Sequence, residues 1–575
     1  MLNVEIISIA TETRTKLAEQ RLTTGQAKLY SQNLLKSIGR DGLATFDANH
    51  VKEQVRNALL LIHLALIERR DSPESKWRDG IKRAGEILEW LSQKDLLPQG
   101  APFHLLSAAA YQVAGYPALA LGHLRNVPEN HAYSGILLNY IKGDFAQALI
   151  EIGKYWSAQI SLKEEYDIDP DRDISALSFN HLVRCIGVIC DYLRTGDDSR
   201  VERTLEKIDK LANNFLLSRD HFSWVLARLN AEISQEYVRT SIWSKIGTLK
   251  ADASQATQIS LVEFAKASFL KKRSLIWPPQ IVGIDKLAEN NSFVLCTSTG
   301  SGKTMIATLA AIQALNAKSR ILGLEELNDN LVLYLVPSKA LASEVEERLS
   351  QDLASISAQS TVITGLYGGT DWGPTDAWIS RDQPTVLVCT FEKADALLRY
   401  LSVRFLSRVR LVVIDEAHMV EYTDTTPQAL QEGASRAYRL EMLGTRLLMA
   451  QEVFGFRMIA LSAVAAEAGP AISRWITRDA QSEPIRSDYR STRQMIGRLE
   501  VDSRGRFKIE YDLMNSHSLL FEDRQSDEKP YINNPFSPMP QSLESANNPQ
   551  KRMRAPTLWA ALHLAAKREG GGQAT

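Results

Sequence analysis

A chain of 575 residues is too long for a single hydrophobic core and implies about three or four domains. With 44% hydrophobic and 23% charged residues it has the balance of a folded globular protein, which excludes a disordered or fibrous class. Its 67 basic and 68 acidic side chains nearly cancel, so no global positive field advertises a polyanionic partner, and any basic binding surface is local.

The opening stretch MLNVEIISIATETRTKLAEQ has no basic n-region and no sustained apolar run, and it does not read as a signal peptide. The longest apolar candidate, 58–67, is interrupted by His63 and is about half the roughly 20 residues a bilayer needs, so no membrane span is expected. The cysteines, Cys185, Cys190, Cys296 and Cys389, form no C-x-x-C pair and no metal-ligand spacing. They read as small core residues in a reducing compartment, which makes the cytoplasm the expected location.

From about 15 to 250 apolar residues recur at three and four, which predicts an all-α half. Gly115, Gly143 and Gly196 each sit in a break between helical stretches. Their spacing of 28 and then 53 residues is irregular; it is compatible with a degenerate tetratricopeptide-like stack, though an irregular helical bundle is favoured. The texture changes near 255, where Lys271-Lys272-Arg273 leads into Trp277-Pro278-Pro279-Gln280. Beyond it, apolar runs at 293–296, 331–336, 361–363, 385–389, 411–414 and 458–461 alternate with helical segments. Runs apolar on both faces with helix-length crossovers predict a parallel α/β sheet. The stretch 523–556 reads as loop, and 557–567 resumes helical periodicity.

Thr299-Gly300-Ser301-Gly302-Lys303-Thr304 follows a predicted strand and opens a predicted helix, the required context of a phosphate-binding loop. Backbone N–H groups at the helix N-terminus suit a phosphate anion, Lys303 would reach the β- and γ-phosphates, and the Thr304 hydroxyl would hold Mg²⁺. The position six before the lysine, usually Gly or Ala, is Thr297. Asp415-Glu416-Ala417-His418 ends the apolar run 411–414. There Asp415 would coordinate Mg²⁺ through water and Glu416 would polarise the water attacking the γ-phosphate.

These segments, in this order, resemble the superfamily 2 DEAD/DEAH-box helicases, and in particular the branch of superkiller-type RNA helicases and archaeal DNA-repair helicases. The resemblance covers roughly 270–500 and implies ATP and Mg²⁺ as cofactors. Gln280 resembles the upstream glutamine that reads the adenine edge, and His418 joins the nucleotide-binding set with Thr299, Gly300, Ser301, Gly302 and Lys303. Pro337, Ser338 and Lys339 look like motif Ia. Gly368, Gly369, Thr390, Glu392 and Lys393 resemble segments that hold a nucleic-acid backbone, with Phe391 replacing a more usual proline. Ser462 and Ala463 stand where the family couples the phosphate site to strand handling, with Val464 replacing a hydroxyl residue. The implied partner is single-stranded or partly duplex DNA or RNA.

The expected architecture is therefore a helical accessory domain over 1–250, a RecA-like ATP-binding domain over 251–500, and a linker with the start of an incomplete second motor domain over 501–575. Family motors carry a second RecA-like domain that supplies arginine fingers. Gln494-Met495-Ile496-Gly497-Arg498 fits that arginine motif only superficially, because Val501 replaces its last arginine. Such a finger is worth about 10³–10⁵ in rate, so low turnover is expected unless a partner supplies the missing domain. Two readings stay open: a helicase or translocase subunit, and a non-catalytic ATP-responsive binding or scaffold protein.

Overall fold

The computed structural model describes residues 2–18, 21–27, 29, 48–92, 103–125, 134–162, 170–218, 220–251, 253–298, 300–317, 329–354, 356, 361–368, 383–421, 436–463, 468–487, 489, 496–502, 506–513, 520–521, 531–540 and 549–565. They divide into two compact units, one of 1–134, 212–230 and 491–575, the other of 135–211 and 231–490.

In the first unit the helices Leu2–Ala18, Ala48–Asp71, Trp77–Leu91, Phe103–Ala114 and Pro117–Leu124 are joined by short strands that the sequence reading did not carry. β1 (Arg21–Leu22) pairs in parallel with a two-residue strand at 520–521. An antiparallel sheet occupies part of 496–533, where the expectation is a linker and, from 523, a loop. Its central strand, Phe507–Leu513, alternates apolar and polar residues, the pattern of a strand with one covered face, and the expectation of a linker passed over it. The last helix, Pro549–Ala565, begins earlier than the sequence suggested and carries Pro556 inside it. Ala555 and Ala560 pack there with Phe507 and Met539, and this burial offsets the backbone bond that the proline removes.

The second unit opens with helices Ser134–Lys142, Phe145–Leu162 and Pro170–Thr195 and continues through Ile242–Lys250 and Gln255–Leu270. Gly115, Gly143 and Gly196 each follow a helix with φ of +89°, +80° and +80°, as their place in the breaks led one to expect. At Gly143 the closing bonds run from the Asp144 amide to Asn139 at 2.9 Å and from the Gly143 amide to Tyr140 at 3.1 Å, the pattern of a glycine-stopped helix. Gly196 adds a packing reason. The Trp243 indole lies over it, so that a Cβ would come within 2.7 Å of the ring, while Trp243 Nε1 donates to the Leu193 carbonyl at 2.9 Å.

Helix Gln255–Leu270 ends without glycine. Lys272 takes the left-handed conformation at φ +59°, and the Arg273 amide bonds back to Ser268 at 2.8 Å. The basic run read at the boundary is spent on ion pairs here. Lys272 pairs with buried Asp144, whereas Lys271 and Arg273 both reach Asp352 at 2.9 and 3.3 Å.

Seven strands then form one parallel sheet: β2 (Phe293–Thr297), β3 (Leu331–Val336), β4 (Val362–Leu366), β5 (Thr385–Thr390), β6 (Val409–Ile414), β7 (Arg457–Ser462) and β8 (Ile485–Ser487). Their order is β4-β5-β3-β6-β7-β2-β8. Period-two alternation sends side chains to two cores. Leu295, Tyr334, Val388, Val413 and Leu461 face helices Gln255–Leu270, Lys303–Leu315 and Lys339–Leu353. Cys296, Leu335, Cys389, Ile414 and Ala460 face helices Phe391–Leu406, Arg436–Phe454 and Ala468–Thr477. The expected fold class, an all-α region followed by a RecA-like parallel α/β sheet, is what the chain adopts. The edge strand β8 was not anticipated, because three half-exposed residues carry no apolar run. All four cysteines are buried thiols, and among the described residues no helix is long and apolar enough to cross a membrane.

Gly196→Ala is expected to lower the unfolding free energy by about 2 kcal/mol or more, from left-handed strain and the indole contact together, and so to lower the urea midpoint. An unchanged midpoint would refute the packing of Trp243 on Gly196.

Candidate functional site

Because all seven strands are parallel, their carboxyl ends share one edge of the sheet, where open α/β sheets place ligands. β2 leaves that edge into a turn in which the Ser301 amide bonds the Ser298 carbonyl at 3.2 Å. Gly302, at φ +79° and ψ +30°, then starts helix Lys303–Leu315. The orphan amides of that helix start therefore face the edge. Thr297, the departure from the usual small residue, joins its hydroxyl to Ser301 Oγ at 2.7 Å and so braces the loop from within. Lys303 Nζ donates to the Thr297 carbonyl at 3.2 Å. Burial pushes the Lys303 ammonium below its ordinary pKa, and the charges of Glu416 and Asp415 pull it back up.

Gln280 joins this loop from helix Pro278–Ala288. Its Oε1 accepts from the Trp277 amide at 2.8 Å, and its Nε2 donates to the Gly302 carbonyl at 3.2 Å. A Cβ on residue 302 would fall 2.2 Å from Nε2, so glycine is required both for its backbone angle and for the amide that lies against it. Tyr489 packs its ring edge-on against Trp277, with centroids 5.8 Å apart.

β6 ends in the paired carboxylates. Asp415 is buried; its Oδ1 accepts from the Glu416 amide at 2.9 Å and its Oδ2 from Tyr334 Oη at 3.0 Å. Burial raises the Asp415 pKa, the neighbouring Glu416 charge adds to this, and its hydrogen bonds and Lys303 oppose it. Burial likewise holds the Tyr334 phenol well above its usual value, so Oη keeps its proton and donates. Glu416 adopts φ +51° and ψ +44°, a strained conformation for a non-glycine residue and one that clusters at functional positions. Its buried Oε2 has no hydrogen-bond partner. His418 Nδ1 stands 3.3 Å from that oxygen, an ion pair only when the ring is protonated, and is also 3.3 Å from Ser462 Oγ at the end of β7. Thus Glu416, His418 and Ser462 meet across two neighbouring strands, and Ala463 follows directly.

The donor set fits a hydrated divalent cation at a phosphate. A buried, hydrogen-bonded carboxylate, a second carboxylate with an unpartnered buried oxygen, and the hydroxyl residue Thr304 in the first helical turn are hard oxygen donors. Among the described residues no group of three or more His, Cys, Asp or Glu could hold a metal by themselves.

A second group lies along the β4, β5 and β3 ends. Pro337 is buried, and Ser338 caps helix Lys339–Leu353 by accepting from the Leu341 amide at 3.3 Å. Lys339 and Lys393 converge on Gly368: a Cβ built on that residue, at φ +89°, would lie 3.5 Å from the Cε of each lysine and from Lys339 Nζ. Thr390 ends β5 and Glu392 sits in the first turn of the next helix. Phe391, in the usual proline position, is a core residue at 3% exposure. Thr299 and Gly369 lie outside the described residues, as do Val464 and Gln494. Arg498, from the superficial arginine motif, lies in an antiparallel strand and pairs with Glu510 at 2.9 Å and Glu500 at 3.3 Å. Sequence reasoning missed Tyr334 and the Thr297 hydroxyl. The signal for the first was a single hydroxyl-bearing residue inside the aliphatic run Leu-Val-Leu-Tyr-Leu-Val.

The DEAD/DEAH box helicase family profile matches residues 277–467. Similar curated proteins include the Hachiman protein HamB of Bacillus cereus, 24% identical over 391 residues, which cover 64% of this chain and 32% of that protein. The RQC trigger complex helicase SLH1 of Saccharomyces cerevisiae is 35% identical over 23% of this chain and 7% of its own length. The ATP-dependent DNA helicase Hel308 of Thermococcus kodakarensis is 28% identical over 36% of this chain and 16% of its own length. The matches thus span about a third of these relatives or less. Among solved structures, the Mycobacterium smegmatis helicase Lhr bound to ssDNA and AMP-PNP aligns at 24% identity and a TM-score of 0.31, covering 41% of this chain and 28% of that one.

Gly302→Ala is expected to weaken binding of a fluorescent ATP analogue by about tenfold or more, because the free loop would relax out of the left-handed conformation and carry its amides out of place, with the far-UV circular dichroism retained. Unchanged affinity would remove Gly302 and Gln280 from the site.

Proposed function

We propose that this chain, whose residues 277–467 form a DEAD/DEAH box domain of the superfamily 2 helicases, binds ATP with Mg²⁺ and a nucleic-acid strand at adjoining parts of one sheet edge. The observation that carries the reading is the meeting, at one carboxyl edge of the sheet, of half-buried Lys303 in a glycine-started helix with the Asp415–Glu416 pair that follows β6.

In this reading Gly300, Ser301 and Gly302 offer backbone amides to the phosphates, and Lys303 leaves the Thr297 carbonyl to neutralise the β- and γ-oxygens. Thr304 and Asp415 would hold Mg²⁺, Asp415 through water, and the bound ion would supply charge neutralisation at the phosphates. Glu416 orients and polarises the attacking water with the oxygen that lacks a hydrogen-bond partner. His418 carries that arrangement to Ser462, and Gln280 ties the nucleotide loop to the start of the domain. Lys339 and Lys393 close on one backbone phosphate beside Gly368, and Ser338 can still donate its hydroxyl proton while it caps its helix. Such contacts read no sequence. The Hel308 relative is a DNA helicase, which makes DNA the first strand to test, with RNA beside it.

ATPase assays on the 575-residue chain, with and without single-stranded DNA or RNA, test the reading. Glu416→Gln is expected to keep nucleotide affinity and lower any stimulated turnover by about 10²-fold or more, and Lys303→Ala to lose nucleotide binding. Retained ATP affinity in the Lys303 variant would sink the assignment. Binding without strand-stimulated turnover would favour the second reading, a non-catalytic ATP-responsive binding or scaffold protein.

A further inference from the structure

Asp415 is held at both carboxylate oxygens, and one of the two holders is a side chain outside the acidic motif. Tyr334 Oη donates to Oδ2 at 3.0 Å, with the tyrosine 1% and the aspartate 8% exposed. Strand register explains the reach. Tyr334 lies opposite Val413, and two residues further along β6 is about 6.7 Å, the span of a tyrosine ring with its hydroxyl. On the same face of β3, Val332 and Val336 are aliphatic and complete the core without any polar group. Filling this volume needs no hydroxyl, and burying one costs free energy unless it is bonded. The carboxylate is the partner that makes a tyrosine tolerable here.

We propose that Tyr334 is a positioning residue for Asp415: its hydroxyl fixes Oδ2, so that the remaining acceptor sites of the carboxylate are presented to Mg²⁺-bound water at the nucleotide. This rests on the ATP·Mg²⁺ reading given above. Tyr334 itself touches neither nucleotide nor metal; it acts through the aspartate, as outer-shell partners of metal ligands do. It also sits three residues before Pro337, so the strand that carries the motif Ia residues holds the metal carboxylate directly.

The test titrates a fluorescent ATP analogue into wild type, Tyr334→Phe, Asp415→Asn and the double variant, each as the full chain, over a range of Mg²⁺ concentrations and in EDTA. Phenylalanine keeps the ring and its volume, and a melting curve checks the fold. Tyr334→Phe is expected to raise the Mg²⁺ concentration for half-maximal nucleotide binding by about tenfold, to leave binding in EDTA unchanged, and to add nothing in the Asp415→Asn background. Tyr334→Met, which also lacks a donor, is expected to shift Mg²⁺ dependence in the same way. Equal Mg²⁺ dependence in wild type and Tyr334→Phe overturns the inference, as does an undiminished effect in the Asp415→Asn background. A wild-type chain that binds no nucleotide under any condition overturns the ATP reading and this inference together; that outcome is distinct from failure of the inference alone, in which wild type and Tyr334→Phe bind alike with Mg²⁺.

Discussion

Backbone hydrogen bonding between β3 and β6 continues one residue past the strands, where the Asp415 amide donates to the Leu335 carbonyl at 2.8 Å. This bond fixes where the acidic pair leaves the sheet, and much of the site is arranged around it. β3 turns at Pro337 toward Ser338 and Lys339, while β6 turns at Asp415 toward Glu416 and His418. A parallel sheet aligns the two exits, and its burial on both faces leaves the carboxyl edge as the place where polar groups can meet a ligand. β7 and β2, next in order, bring Ser462 and the glycine-started helix to the same edge.

The local chemistry at that edge runs against the rest of the fold. Lys303 is half-buried and loses part of its hydration, Asp415 is buried beside a second acid, and Glu416 occupies a backbone region that costs of order 1 kcal/mol or more. None of these choices stabilises the chain. The continuous aliphatic strands below them supply the stability that tolerates them, each large buried side chain contributing about 1.5–3 kcal/mol. Opposed charges held ready in a low-dielectric recess are what a triphosphate and a cation would complete.

Much of this was legible because its signals are local. The runs at 293–296, 331–336 and 411–414 are almost wholly apolar, Asp415-Glu416 follows the last of them directly, and Gly302-Lys303-Thr304 comes a few residues after the first. The three helix-ending glycines were readable for the same reason. β8 was not, since its three residues carry no apolar run and its partner β2 is distant in sequence; the hairpin of 496–501 with 507–513 did carry a signal, the alternation of Phe507–Leu513, which the linker expectation passed over. Tyr334 and Thr297 escaped because each acquires its role through a partner, Asp415 in the first case and Ser301 in the second. For Gln280 the sequence supplied a resemblance to an adenine-reading residue; the structure adds that its amide lies against Gly302, a contact no spacing rule announces.

The run Lys271-Lys272-Arg273 was conspicuous as a cluster of charge, yet what matters in it is parity. Its outer residues share Asp352 and its middle residue takes Asp144, with Lys272 bent into the left-handed region to make the alternation possible. Each pair is partly exposed and worth little alone, so exchanging lysine for arginine should be nearly neutral. Adding or deleting one residue is another matter, because it reassigns every partner and moves the bend onto a different side chain. Lineages descending from this sequence can therefore drift in composition across the junction while its length stays fixed.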